Sequence, residues 1–266
     1  MLRAADGVNL RFQTWCPAED SKATLCLVHG HGDHSDRFAD GVDELVRLGF
    51  SVCTFDLRGH GLSGGPRGDA PSYEVLLDDV GLLLDTARTH APGLPRFLLG
   101  HSLGGNLVLN YALRRRPALA GLMAVNPWLD LAFRLPIWRT LAVRLVAAVR
   151  PDVPLSSRRE PGVSSQGNGD SDPLVHHVIT PRVFLGARDA ARGALTNAAN
   201  LNTPLLVIHG SEDHSTSAEA SELFVERAQG DATFTRWDGL GHSFHGEDVE
   251  RLLFGYVASW MASRVG

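Results

Sequence analysis

The sequence predicts an α/β fold: a mostly parallel sheet with helices on both faces and one insertion late in the chain. Three observations predict it. Short runs that are apolar throughout recur at residues 23–28, 50–55, 96–99, 119–125 and 204–208, as strands buried on both faces require. Amphipathic segments near 37–48, 73–89, 103–115 and 218–229 alternate with them, which is the crossover rhythm of parallel strands. The rhythm breaks once, where 78 residues separate Val125 from Pro204, far more than one crossover helix needs.

Each apolar run closes on a polar turn. In order these are His29-Gly30-His31-Gly32, Asp56-Leu57-Arg58-Gly59, Gly100-His101-Ser102, Asn126-Pro127 and His209-Gly210-Ser211-Glu212-Asp213. They mark the carboxyl ends of the strands, where open α/β sheets place their sites. A last strand-like run at 232–237 leads into Gly239-Leu240-Gly241-His242-Ser243-Phe244-His245.

The break divides the chain into a core of residues 1–127 and 181–266 and an insertion of residues 128–180. The insertion begins apolar, with Trp128, Phe133, Ile137, Trp138 and Leu141, and turns to a Ser, Gly and Asn stretch over 156–171. An apolar segment beside a flexible one, inserted above the strand ends, reads as a cap or lid, with those five side chains facing a substrate. A surface helix followed by a loop is the plainer alternative. As a helix after Pro136, the segment puts Trp138, Leu141, Ala142, Leu145, Ala148 and Val149 on one face and Arg139, Thr140, Arg144, Ala147 and Arg150 on the others. Residues 129–150 hold four arginines and one aspartate in a chain of net charge −5. Two readings follow: the stripe packs on the core, or the basic amphipathic helix makes a peripheral contact with an anionic lipid surface.

Composition narrows the function. With 266 residues, 44% hydrophobic and 21% charged, the chain has the make-up of a soluble globular protein. Its negative net charge offers no basic footprint for nucleic acid. Cys16, Cys26 and Cys53 are odd in number, and the latter two lie inside strand-like runs; they read as small core residues in a reducing compartment. The start of the chain lacks an apolar leader, and no window of 18 uncharged apolar residues occurs. Together these predict a cytoplasmic protein.

Ser102 lies in Gly100-His101-Ser102-Leu103-Gly104, after an apolar run and before a helical segment. A serine on a tight strand-to-helix turn stands clear of the sheet, and the backbone N–H after it points at the carbonyl that the serine attacks. The pattern by itself is weak, because Gly61-Leu62-Ser63-Gly64-Gly65 also matches. That second match runs into Gly65-Pro66, which cannot open a helix as residues 103–115 do. Context selects Ser102.

A nucleophilic serine needs a base and an orienting acid, which in this topology follow in the order acid, then histidine. Asp213 stands in the turn after a late strand. Asp189 lies in a helical stretch, and Asp238 is close enough to His242 to cap its turn. His242 is the expected base, in a glycine-rich loop, and His245 is its competitor; His176, His177 and His214 are read as surface or turn residues. The oxyanion hole is assigned to the backbone N–H groups of His31 and Leu103, with the His31 side chain left to face the pocket.

At these residues the chain resembles the monoacylglycerol lipase and lysophospholipase type of serine α/β-hydrolase, a group that includes serine aminopeptidases of the proline iminopeptidase kind. The resemblance rests on His29-Gly30-His31-Gly32-Asp33-His34-Ser35-Asp36-Arg37-Phe38, which is similar to HGxGEHSxRY, and on Asp56-Leu57-Arg58-Gly59-His60-Gly61-Leu62-Ser63. It continues in Gly100-His101-Ser102-Leu103-Gly104-Gly105, Asp172-Pro173-Leu174-Val175-His176, His209-Gly210-Ser211-Glu212-Asp213 and Gly241-His242. It implies an α/β-hydrolase core with a small cap after the sixth strand and a triad of Ser102, Asp213 and His242. It also implies hydrolysis of monoacylglycerols or related single-chain esters without a cofactor. Two places depart from the pattern: His31, where small or apolar side chains are usual, and the polar stretch 164–170, where a short helix is usual. Alternatives are a lysophospholipase, a general carboxylesterase, a proline iminopeptidase-like peptidase using an acidic cap residue such as Glu160, and a non-catalytic binding protein, which would be expected to lack a member of the triad.

Overall fold

The computed structural model describes residues 1–157 and 172–265; the polar stretch 164–170 and Glu160 lie outside them. In chain order the first elements are β1 (Leu2–Arg3), β2 (Asn9–Leu10), β3 (Phe12–Trp15), β4 (Thr24–Val28), α1 (Ala39–Arg47), β5 (Ser51–Phe55) and α2 (Tyr73–His90). Then come β6 (Arg96–His101), α3 (Leu103–Arg115), β7 (Gly121–Val125), α4 (Ile137–Val149), β8 (Leu155–Ser156) and β9 (Val178–Ile179). The chain ends with α5 (Pro181–Asn197), β10 (Leu205–Gly210), α6 (Ala218–Arg227), β11 (Ala232–Trp237) and α7 (Glu247–Ala262).

Among the described residues, seven strands form the main sheet in the order β11-β10-β7-β6-β4-β5-β3. All neighbours are parallel except β3, which runs antiparallel to β5. Only Arg11 separates β2 from β3, and β1 pairs with β2. Counting 9–15 as one interrupted strand and leaving aside β8 and β9, which lie within the insertion, this insertion follows the sixth of eight strands among the described residues.

The continuous apolar runs are explained by two cores. Along β4, Leu25 and Leu27 join α1 and α7 through Val42, Leu45, Leu253 and Phe254. Cys26 and Val28, pointing the other way, join α2, α3, α5 and α6 through Leu77, Leu107, Val183 and Phe224. Alternation has period two, but both faces are covered, so apolar residues dominate both and a polar one such as Thr54 is buried with its hydroxyl on the Leu27 carbonyl. α2, α3 and α6 lie where the amphipathic pattern expects them, α2 and α6 beginning on the serine caps Ser72 and Ser217.

The two ends of the insertion are tied down differently. On the near side, Leu131 bridges Thr216, Ala132 N–H donates to the Ser215 carbonyl at 3.1 Å and Ser217 N–H to the Asp130 carbonyl at 3.0 Å. On the far side, His34 Nε2 lies 2.8 Å from Asp172 Oδ2, His176 N–H donates to the Gly32 carbonyl at 2.9 Å and Thr180 N–H to the Gly68 carbonyl at 3.1 Å. Asp69, which is buried, accepts from Thr180 Oγ1 and from the Arg182 guanidinium.

Between these ends, α4 starts after Pro136, as expected, but buries none of its residues. The half-buried positions are Thr140, Val143 and Ala147, and Arg188 of α5 donates to Thr140 Oγ1 at 3.0 Å. Of the two readings of the apolar stripe, packing on the core does not hold, because it faces outward: Ile137 is 78% exposed, Trp138 62%, Leu141 52%, Leu145 72% and Val149 79%. Periodicity identifies a helix and its apolar face, but not which face a neighbour covers; small side chains allow α5 to approach on the less apolar side. Among the described residues no helix is long and apolar enough to cross a membrane.

Candidate active site

Ser102 sits between β6 and α3 with φ 53° and ψ −114°, a conformation that costs roughly 1–3 kcal/mol for a residue with a side chain. Three backbone hydrogen bonds hold it. Its N–H donates to the Val125 carbonyl at 3.0 Å, and its carbonyl accepts from Asn106 N–H at 3.0 Å and Trp128 N–H at 2.9 Å. Glycine makes the turn possible: a Cβ on Gly100 would lie 2.2 Å from the Gly104 carbonyl oxygen, and one on Gly104 would lie 2.2 Å from that of Val28.

The turn sets Ser102 Oγ 3.0 Å from His242 Nε2, while His242 Nδ1 lies 2.8 Å from Asp213 Oδ2. An ionised carboxylate only accepts, so Nδ1 carries the proton and Nε2 presents its lone pair to the serine hydroxyl. The Asp213 side chain is fully buried, whereas that of His242 is 26% exposed, which leaves an accessible edge beside the serine. The relay is therefore anchored inside and open outside.

Asp213 is saturated with donors. Its Oδ1 accepts from Ser215 N–H at 2.6 Å and Thr216 N–H at 3.0 Å, and Oδ2 accepts from Thr216 Oγ1 at 2.7 Å as well as from His242. His209 Nε2 lies 3.3 Å from the same oxygen. Burial raises the carboxyl pKa, but hydrogen bonds from His209, His242 and Thr216, with the charge of His242, hold it far below the usual carboxylate range. Thr216 and His209 were not picked out from sequence; the Asp-x-x-Thr spacing, in which an aspartate accepts from its own following backbone, was the available signal.

The rivals have other partners. Asp189 pairs with Arg192 on α5, and Asp238 accepts from Ser211 Oγ at 3.2 Å. Ser63 Oγ donates to the Asp56 carbonyl at 2.6 Å and accepts from Arg11 N–H at 2.8 Å. Both nitrogens of His245 face acceptors: Asp33 Oδ2 at 2.8 Å from Nε2, with the Arg37 carbonyl at 2.9 Å and Glu250 Oε1 at 3.1 Å from Nδ1. Burial lowers its pKa, but the Asp33 charge and the hydrogen bonds to Asp33 and Glu250 prevail and push it up to about 9. At neutral pH His245 is an imidazolium, with no lone pair to offer a hydroxyl.

The turn after β4 passes against the serine, since a Cβ on Gly30 would lie 3.1 Å from Ser102 Cβ. The N–H groups of His31 and Leu103 have no acceptor among the described residues. The His31 ring, which the sequence leaves to face the pocket, has two other histidines beside it. It packs edge-on against His60 and His176, at centroid separations of 5.3 and 5.5 Å, and His60 packs on His176 at 4.5 Å. Burial, reinforced for His31 by neighbouring histidines and for His176 by Arg67, pushes His31 down to about 3 and His176 to about 4. His176, read as a surface or turn residue, lies in the loop after a turn and is a half-buried contact between the insertion and the core; His214 is exposed. Among the described residues no three His, Cys, Asp or Glu side chains are grouped to hold a metal ion.

Of the cap side chains expected to face a substrate, Trp128 is buried against Phe184, and its carbonyl accepts from Asn106 Nδ2 at 2.8 Å. Phe133 is 45% exposed, and Ile137, Trp138 and Leu141 stand on the outward face of α4.

The family model described as serine aminopeptidase, S33, matches residues 19–249. Among curated proteins, an uncharacterized abhydrolase domain-containing protein of Dictyostelium discoideum is 30% identical over 99% of this chain, which spans 29% of that protein's length. The monoglyceride lipase of Homo sapiens is 30% identical over 98% of this chain and 89% of its own. Among solved structures, the monoacylglycerol lipase of Paleococcus ferrophilus superposes with a TM-score of 0.86 at 27% identity, covering 96% of this chain and 99% of that one. Its fold, and that of this chain, is the α/β-hydrolase fold.

Proposed function

The chain belongs to the serine aminopeptidase, S33 family and is an ester hydrolase, and from that premise we propose that Ser102, His242 and Asp213 are its catalytic triad and single-chain lipid esters, monoacylglycerols first, its substrates. The observation that supports the triad is the continuous relay from Ser102 Oγ through His242 to Asp213. Ser102 Oγ attacks the ester carbonyl carbon as its proton passes to His242 Nε2. The oxyanion is received by the N–H groups of His31 and Leu103. On collapse the bond to the leaving alcohol breaks and His242 returns the proton to that oxygen, leaving an acyl-serine. Water then repeats the sequence, with His242 as base, and releases the acid. Asp213 stays ionised throughout, orienting the imidazole and stabilising its cation.

The substrate class draws on the relatives' names and on the apolar, basic insertion. With residues 128–180 as a cap, Phe133 is the side chain proposed to meet an acyl chain, while Ile137, Trp138 and Leu141 belong to the outward stripe. The outward stripe of α4 and the net positive charge of its segment fit a peripheral contact with anionic lipid. Co-sedimentation with anionic vesicles should weaken for Arg139→Glu with Arg144→Glu, more so at low salt, with slower hydrolysis of long-chain monoacylglycerol and an unchanged rate on a soluble short ester. Equal slowing of both substrates, or no vesicle binding by wild type, would remove this contact.

The decisive experiment combines fluorophosphonate labelling with a hydrolysis panel of graded monoacylglycerols, lysophospholipids, short p-nitrophenyl esters and proline p-nitroanilide. Ser102→Ala should abolish labelling and lower kcat at least about a thousandfold. His242→Ala should be nearly as damaging, and Asp213→Asn somewhat less. Labelling that survives in Ser102→Ala defeats the triad. Preference for lysophospholipid or for the proline anilide defeats the monoacylglycerol assignment.

A further inference from the structure

Asn126 directly follows β7, in the turn between the strand that receives Ser102 N–H and the insertion. It is fully buried and stands at φ 46°, one of three residues other than glycine at positive φ among those described. Residues with side chains adopt this region rarely, asparagine and aspartate most readily.

Every hydrogen-bonding group of its side chain is engaged. Nδ2 donates to two successive carbonyls of the histidine loop, Gly241 at 2.9 Å and His242 at 3.0 Å. Oδ1 accepts from Gly210 N–H at 2.8 Å, at the end of the strand that leads to Asp213. Its backbone N–H donates to the Ile208 carbonyl at 2.9 Å, and its carbonyl lies 3.2 Å from Thr216 Oγ1, the hydroxyl that also reaches Asp213 Oδ2. One residue away, the Val125 carbonyl holds Ser102 N–H. The side chain thus joins the peptide bearing the base to the strand bearing the acid, next to the strand end that fixes the serine.

Residue chemistry narrows what can do this. Glycine tolerates the backbone but has no side chain. Aspartate tolerates it and can accept from Gly210, yet would set a carboxylate oxygen against two carbonyls. Among residues at ease in this conformation, asparagine alone supplies two donors on one atom and an acceptor on the next.

We propose that Asn126 is a positioning residue for the hydrolytic reaction: it holds the His242 peptide at the distance from Ser102 and Asp213 on which proton transfer depends. The inference rests on the triad assigned above. His101 Nε2 donates to the same His242 carbonyl at 2.9 Å, so that oxygen keeps one donor when Asn126 is removed, whereas Gly241 loses the one that Asn126 supplies. Removal therefore loosens the loop more than it unfolds it.

The test uses Asn126→Gly, which keeps the backbone conformation and deletes the amide, and Asn126→Asp, which keeps volume and the Gly210 acceptor but reverses polarity toward the loop. Fluorophosphonate titration counts competent sites, and kcat and KM for a short p-nitrophenyl ester are expressed per labelled site. The expected result is a fall in kcat of roughly ten- to a hundredfold with KM within about twofold, larger for Asp than for Gly, because displacement of about 1 Å costs rate and not ground-state binding. A wild-type kcat per labelled site in either variant overturns the inference while leaving the triad intact, whatever the loss of folded protein. Failure of the wild type to label at Ser102 overturns the triad and this inference with it. If Asn126→Gly does not fold, Asn126→Asp is read by the same criterion.

Discussion

Replacing His245 by asparagine should remove a stabilisation that wild type has at neutral pH and loses in mild alkali. The folded pKa is raised to about 9, against an unfolded value of about 6.5. Below pH 6.5 both states hold the proton and the contribution is complete. Between about 6.5 and 9 the folded state holds one proton more than the unfolded, so unfolding free energy falls with a slope approaching about 1.4 kcal/mol per pH unit. Above about 9 the contribution is gone. The shift of about 2.5 units corresponds to a total on the order of 3 kcal/mol, with little discount for solvent because the side chain is 9% exposed. Asparagine does not titrate, so urea unfolding of wild type and His245→Asn from pH 6 to 9.5 isolates the effect as the difference between two curves, other titrations cancelling. Wild type should lose about 3 kcal/mol more than the variant across that range. Parallel curves would refute the argument, as would an NMR titration placing His245 near 6.5.

Acid should destabilise the protein for the opposite reason. Burial first of all depresses His29, His31, His60, His101 and His176 in the folded state, so the unfolded chain takes up more protons below about pH 6.5 and stability falls on acidification; urea curves between pH 6 and 5 should show a loss above about 1.4 kcal/mol per unit, the value for one proton. Gly68→Ala should cost on the order of 3 kcal/mol or more, because its φ is +65° and the added Cβ would lie 1.8 Å from the Val178 carbonyl oxygen; calorimetry should show Tm lower by at least about 6 °C. Ser63→Ala should leave kcat unchanged and cost about 1–3 kcal/mol in urea unfolding, since the Arg11 N–H loses its acceptor. A large loss of activity without destabilisation would reinstate the second serine motif.

The motif Asp172-Pro173-Leu174-Val175-His176 could be matched in sequence but not understood there. Its meaning is mechanical: Asp172 reaches His34, and the His176 backbone and ring meet Gly32 and His60 across more than a hundred residues of chain. His245 shows the same limit for electrostatics. As a histidine near His242 it was a reasonable rival base, and only the positions of Asp33 and Glu250, brought in from the turn after β4 and from α7, make it a cation. The antiparallel β3 and helix α7 also went unforeseen; β3 is half-buried at the sheet edge and lacks the continuous apolar run that marks central strands.

What the amino-acid sequence determined alone is what depends on neighbours along the chain. Runs apolar on both faces specify strands between two helical layers; Gly100 and Gly104 around Ser102 allow a turn that no larger residue fits; polar turns at strand ends put Ser102, Asp213 and His242 on one edge of the sheet. What only the tertiary structure decided depends on groups distant in sequence meeting in a low-dielectric interior. The donors around Asp213, the charge on His245, the packing of the His31 ring on His60 and the engagement of Asn126 with the His242 loop and with β10 belong to that class. So does the outward face of α4, because a hydrophobic stripe states that a face avoids water without stating what will cover it.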